Sequence, residues 1–154
     1  MWKGIAVIVG ILLASSVLAE PALVGEWHSD RERTMNFNDQ NTKLAERTSA
    51  FVRSMMGRLT LTITSSTIHF KLPDFSTNVA GVERHMVGFD ETHSYRTLAV
   101  TARTVVVEAV APITGNLDVT VYNFESPDVM WVYTGGIGVQ LPYSHLREYF
   151  VRVP

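Results

Sequence analysis

The 154-residue chain contains no cysteine, so neither a disulfide framework nor thiolate metal ligation is open to it. It has no basic cluster either, and its formal net charge is −2. Nucleic acid and anionic membrane are therefore excluded as expected partners on charge grounds. The only long apolar run, Ile5 to Ala14, falls well short of the roughly 20 residues that cross a bilayer. No Asn-x-Ser/Thr acceptor, internal repeat or low-complexity linker occurs.

Signatures of chemistry are equally scarce. His28, His69, His85, His93 and His145 form no i, i+4 pair and no His-x-His spacing, whereas a zinc site ordinarily contains a tight ligand pair. A barrel can hold haem through one histidine, for which His69 or His85 would serve, but nothing selects either. There is no Gly-x-Ser-x-Gly nucleophile elbow. Thr134-Gly135-Gly136-Ile137-Gly138 is not followed by Lys and Ser/Thr at phosphate-loop spacing and reads as a rim loop. The carboxylate pairs Asp90-Glu91 and Glu125/Asp128 fall at expected turns. No catalytic residue, metal or cofactor is assigned, and the expectation is a protein that binds without catalysis.

What is present begins with a leader. Met1 to Ala19 has one positive charge at Lys3, the apolar run, and small residues ending in Val17-Leu18-Ala19. This is the three-part pattern of a secretory signal, so residues 1–19 are expected to be removed and the rest exported, to the periplasm or beyond, with no stable membrane insertion. Residues 20–154 are of one-domain length, and a core of that size needs no disulfide staples.

Polarity rises after Trp27, and His28 to Asn41 has the composition of a loop. Leu44, Thr48, Phe51, Val52, Met55 and Met56 then recur at helical spacing, predicting one amphipathic helix over Thr42–Met56, with Asn41 or Thr42 as its cap and Gly57 in the left-handed position after it. Leu59, Leu61 and Ile63 alternate with Thr60, Thr62 and Thr64, the clearest strand of the chain. Ser65-Ser66 turns it into a partner carrying Ile68 and Phe70. Pro73 to Gly81 reads as a loop. Further strands are expected near Val82–Phe89, Tyr95–Thr101, Thr104–Val110, Leu117–Phe124, Val129–Tyr133 and Tyr149–Val153. Short strands separated by short turns predict a mainly β fold, an antiparallel barrel or sandwich of roughly nine strands with one helix between the first and second.

The two ends of the domain look made to meet. In Leu23-Val24-Gly25-Glu26-Trp27, Gly25 permits close backbone approach and Trp27 supplies a large apolar ring. Arg152 in the last strand can stack on that ring, worth roughly 0.5 to 2 kcal/mol. Gly25-x-Trp27 on the first strand, a helix after it, about eight further strands and Arg152 at the end resemble the calycin group, and within it the small secreted lipocalin-like proteins of bacteria. The helix placement is similar to that of fatty-acid-binding proteins, which are cytosolic and lack a leader, whereas lipocalins carry their main helix after the eighth strand. The resemblance implies a mainly β, antiparallel up-and-down barrel of eight or nine strands with one helix between the first and second, and a binder of a small apolar or amphipathic molecule inside the barrel.

On that reading the helix is a lid. Phe51, Met55, Met86 and Trp131 are the expected ligand contacts, and Arg96 is either a polar anchor for a ligand carboxylate or a rim residue in water. Gly25, Trp27 and Arg152 are structural. Several strands are apolar on both faces or fail to alternate, which predicts either an apolar cover outside the barrel or a bulge. The alternative is an extracytoplasmic protein-binding module, such as an inhibitor, immunity protein or envelope factor, with a filled barrel and with Tyr122, Phe124, Trp131 and Tyr133 at its interface. A monomer or homodimer is expected in either case.

Overall fold

The computed structural model describes residues 22–79, 81–134 and 145–154; the leader, and most of the Gly-rich stretch after Thr134, lie outside the described residues. The elements in chain order are β1 (Gly25–Ser29), α1 (Arg31–Asn41), α2 (Glu46–Met55), β2 (Thr60–Ile63), β3 (Thr67–Leu72), β4 (Phe75–Val79), β5 (Val82–Met86), β6 (Phe89–Val100), β7 (Thr104–Val110), β8 (Leu117–Ser126), β9 (Val129–Tyr133) and β10 (Arg147–Arg152). Eight strands close into one antiparallel barrel in the order β1-β10-β9-β8-β7-β6-β3-β2, while β4 and β5 form a separate hairpin. Every barrel neighbour except the closing β1–β10 pair is next along the barrel strands, β3 and β6 being joined through the β4–β5 hairpin, as an up-and-down barrel requires.

Period-two alternation builds the wall. Leu61 and Ile63 of β2 face inward opposite Phe70 and Ile68 of β3, and all but the half-buried Phe70 are buried. The reversal between them is held by the Thr64 hydroxyl, which accepts from Thr67 N–H at 3.0 Å, a side-chain turn of the kind Ser and Thr make. Val105, Val107, Tyr122, Phe124, Met130, Val132 and Phe150 complete the interior. A register shift between Thr97 and Ala99 bulges β6 and changes the face that its residues present to β7, which accounts for the broken alternation of that strand.

The base is sealed as the chain ends imply. Trp27 is fully buried, its Nε1–H donates to Leu23 O at 2.9 Å, and it meets Phe124 edge-on with centroids 5.9 Å apart. The Arg152 guanidinium lies 4.2 Å from the Trp27 ring centroid and donates to the backbone carbonyls of Val24 and Ala22. Gly25 has φ +149°, and a Cβ there would stand 2.3 Å from Arg152 Nη1. No other residue type fits without displacing the arginine.

Four sequence expectations are corrected. The polar stretch Arg31–Asn41 is a helix, not a loop: Asp30 caps it by accepting from Arg33 N–H at 3.0 Å, and its buried positions are Thr34 and Asn38, polar groups bonded to a strand edge that apolar periodicity does not register. Two helices therefore separate β1 from β2. The second starts at Glu46 rather than Thr42, because the Thr42 hydroxyl is bonded to Asn38 O at 2.7 Å, ending α1. Phe75–Val79 is a strand, and it pairs with Val82–Met86 outside the barrel wall, so the mixed polarity of β5 is that of a hairpin largely in solvent. Finally, Asp90 and Glu91 belong to β6, opposite Lys71 and Phe70, not to a turn.

Candidate ligand cavity

Among the described residues, the barrel interior is filled at the Trp27 end and holds a cavity toward the other. A cavity of about 530 Å³ is walled by Leu59, Leu61, Phe70, Val132 and Phe150, with Phe89 and the β7–β8 connection from Ala111 to Leu117 around its mouth. The alternation that fills the base with Trp27, Ile63, Ile68 and Met130 leaves shorter or polar side chains, Thr120 and Asp118, toward the mouth on β8.

Two of the polar side chains that line this cavity are themselves buried. Tyr122 lines the cavity and is buried; burial, with Tyr95 nearby, pushes its hydroxyl pKa up, so it remains a proton-bearing donor. Glu148 also lines the cavity and is only 6 % exposed. It accepts from the Ser29 hydroxyl at 2.6 Å, and Ser29 Oγ is itself held by Gly57 N–H at 3.0 Å. Burial raises the Glu148 carboxyl to a pKa of about 7, against the smaller opposing pull of the Ser29 and Gly57 donors. Gly57, at φ +84°, turns the chain out of α2 directly against Arg31, which brings its N–H to Ser29.

None of the five expected ligand contacts lines this cavity. Phe51 packs on Phe75 of β4, centroids 6.5 Å apart, and Met55 joins Val52, Met56, Leu146, Met35 and Leu44 in a second apolar cluster outside the barrel. Thus α2 is anchored to the β4–β5 hairpin and to α1, and no α2 residue lines the barrel cavity. Phe51 and Met86 do meet, with Arg47, Thr48, Thr77 and Arg84, around a shallow outer hollow of about 320 Å³. Arg96 faces outward and pairs with Glu108 at 2.8 Å.

Trp131 is also on the outer face. The Arg147 guanidinium is sandwiched between Trp131 at 3.8 Å and Phe37 of α1 at 4.1 Å, and Tyr133 meets Trp131 edge-on at 4.9 Å. This stack is the cover that the two-sided apolar β9 anticipates. Of the proposed interface aromatics, Tyr122 and Phe124 are in the core, and Tyr133 is exposed.

Glu148 is the functional candidate that sequence reading passed over. Its signal is present: it lies two residues before Phe150, on the same face of β10, so alternation alone puts a carboxylate inside. His69 and His93 are each held by a neighbouring acid, Asp90 at 2.6 Å and Glu91 at 2.9 Å. Among the described residues no group of three or more His, Cys, Asp or Glu is arranged to hold a metal ion. Comparison with protein-family models, curated proteins and solved structures finds no match.

Proposed function

We propose that this chain is an exported, non-catalytic, lipocalin-like binding protein that holds one small apolar or amphipathic molecule inside its barrel. The observation that carries the reading is the cavity of about 530 Å³ with a predominantly hydrocarbon wall, within the roughly 300–1,000 Å³ range of small-molecule sites. The sealed Trp27–Arg152 base supports it, because it gives the cavity a closed floor on which a ligand can rest. Export rests on the leader pattern of Met1–Ala19.

Native mass spectrometry of the mature protein, purified gently and without detergent, tests this. The expected result is a stoichiometric adduct of a few hundred daltons. A bare mass, combined with no uptake of an apolar fluorescent probe, would overturn it.

A protein-binding role is the second reading. It is favoured by an apolar outer face on β8, where Leu117, Val119 and Val121 are exposed beside Tyr133, since contiguous exposed apolar surface marks interaction sites. A barrel that takes up no small molecule, yet loses a co-purifying protein partner on Val119→Asp, would favour this reading.

A further inference from the structure

We propose that the barrel cavity selects a ligand whose polar end is a cation, an alkylamine-type head group seated against the Glu148 carboxylate. This rests on the ligand-binding reading above and specifies the class of ligand.

Away from the sealed base, the formal charges that the barrel strands turn inward are carboxylates. At the hollow end the ladder register turns three carboxylates inward: Glu91 opposite Phe70, Asp118 opposite Ala109, and Glu148 on the face of Phe150. The histidine among them, His93, is already held by Glu91 at 2.9 Å. The nearby cations are turned elsewhere. Arg147 stacks outside between Phe37 and Trp131, Arg31 donates to Met56 O at 2.9 Å, Arg58 lies over Phe75, and Lys71 and Arg96 pair with Asp90 and Glu108. Arg152 faces inward, but at the sealed base, bound to backbone carbonyls.

Glu148 is the buried member of the three. Its hydrogen bonding is to neutral donors, Ser29 and Gly57, and no cation among the described residues forms an ion pair with it. An ionised carboxylate in an apolar wall without a counter-charge is costly. An ammonium group delivered by a ligand removes that cost while its chain covers Leu61, Phe70 and Val132. A fatty-acid carboxylate does the reverse, placing a second negative charge in the same hydrocarbon enclosure. Tyr122, which also lines the cavity, carries a hydroxyl oxygen able to accept from an ammonium.

The test is displacement of the uncharged probe N-phenyl-1-naphthylamine from the mature protein by dodecylamine, dodecanol and dodecanoate at about pH 7.5. Dodecylamine is expected to displace at a concentration at least tenfold below that of dodecanoate. Glu148→Gln is expected to weaken dodecylamine about tenfold and leave dodecanol within twofold. If the probe and dodecanol bind but dodecanoate competes as well as the amine, the cavity binds ligands and the cation inference is overturned. If neither probe, alcohol nor amine binds, the ligand-binding reading itself falls. The wild-type ranking decides the matter even if Glu148→Gln folds poorly. Asp118→Asn, at the solvent-exposed mouth, is the second variant, with an expected loss of about threefold for the amine alone.

Discussion

Asn38 pairs with Arg147 as a neighbouring strand would. Its Nδ2 donates to Arg147 O at 2.9 Å and its Oδ1 accepts from Arg147 N–H at 3.0 Å, the two bonds that an antiparallel partner residue exchanges. One helical turn earlier, Thr34 Oγ1 accepts from Tyr149 N–H at 2.9 Å, and Asp30 N–H donates to Tyr149 O at 2.7 Å. β1 pairs with β10 only over Phe150–Arg152. Beyond Ser29 the chain becomes α1, whose side chains complete the ladder along the exposed edge of β10. A polar helix is therefore a structural part of the barrel, and its position fixes Arg147 outward and Glu148 inward.

Replacing Asn38 with Ala should consequently cost more than a surface polar change. It strands a backbone donor and acceptor of Arg147 in a part-buried site, at about 1–3 kcal/mol each when uncompensated. Denaturant unfolding is expected to show a loss of about 2–4 kcal/mol, with Thr34→Ala somewhat milder. A shift below about 0.5 kcal/mol, the level of an ordinary surface substitution, would show that water replaces the side chain freely.

At the base, Trp27→Ala removes a fully buried indole and should cost about 3–5 kcal/mol. Arg152→Ala loses the stacking and the bonds to the Val24 and Ala22 carbonyls, and about 1–3 kcal/mol is expected. The two losses should be less than additive, because each residue is part of the other's environment. Melting temperatures of the two single variants and the double variant check all three statements.

Stability should fall as pH rises through neutrality. The Glu148 carboxyl, ordinarily at 4.5, is raised to about 7 in the folded chain, so the folded state holds this proton to higher pH than the unfolded state does. The associated stabilisation is complete below the unfolded value and is lost as pH climbs through the folded one, on the order of 3 kcal/mol. Asp90, whose pKa is lowered chiefly by the hydrogen bond from His69, acts with the opposite sign in a lower window, below about pH 4. Urea unfolding at about pH 5.5 and pH 8.5 should show wild type weaker at the higher value and Glu148→Gln nearly unchanged. An equal slope in both proteins would reject the assignment.

Phe51→Asp distinguishes a lid from a support. With Phe51 on Phe75 and away from the cavity, probe affinity should stay within twofold. Stability should drop by about 1–3 kcal/mol from loss of a half-buried aromatic contact. A tenfold loss of probe affinity in a stably folded variant would place α2 over the mouth after all.

Where alternation was clean, the barrel was legible in the sequence. The β2–β3 hairpin follows from period-two apolar spacing and the reversal at Ser65-Ser66 from its turn residues, while β7, β8 and β9 were legible as short β-branched and aromatic runs between turn signals. Gly25, Trp27 and Arg152 were legible because the requirements of that seal are local and chemical: an absent Cβ, a large ring and a planar cation. The same spacing puts Glu148 beside Phe150 on the inner face, although its meaning depends on what surrounds it.

Tertiary structure alone decided the rest. Helix α1 forms because Thr34 and Asn38 find backbone partners more than 100 residues away, and no local pattern encodes a distant strand edge. An apolar stripe such as Phe51, Val52 and Met55 states that a helix packs but not on what; here it packs on Phe75 and Leu146 instead of covering the barrel. Trp131 lies outside because Arg147 and Phe37 cover it, and Arg96 because Glu108 on the next strand holds it there. Composition and periodicity determined that this chain folds into short antiparallel strands around one core, and the closure of those strands into a barrel is tertiary. Which charges remain inside it was settled by the register of the ladder, since a shift of one residue exchanges the two faces of a strand.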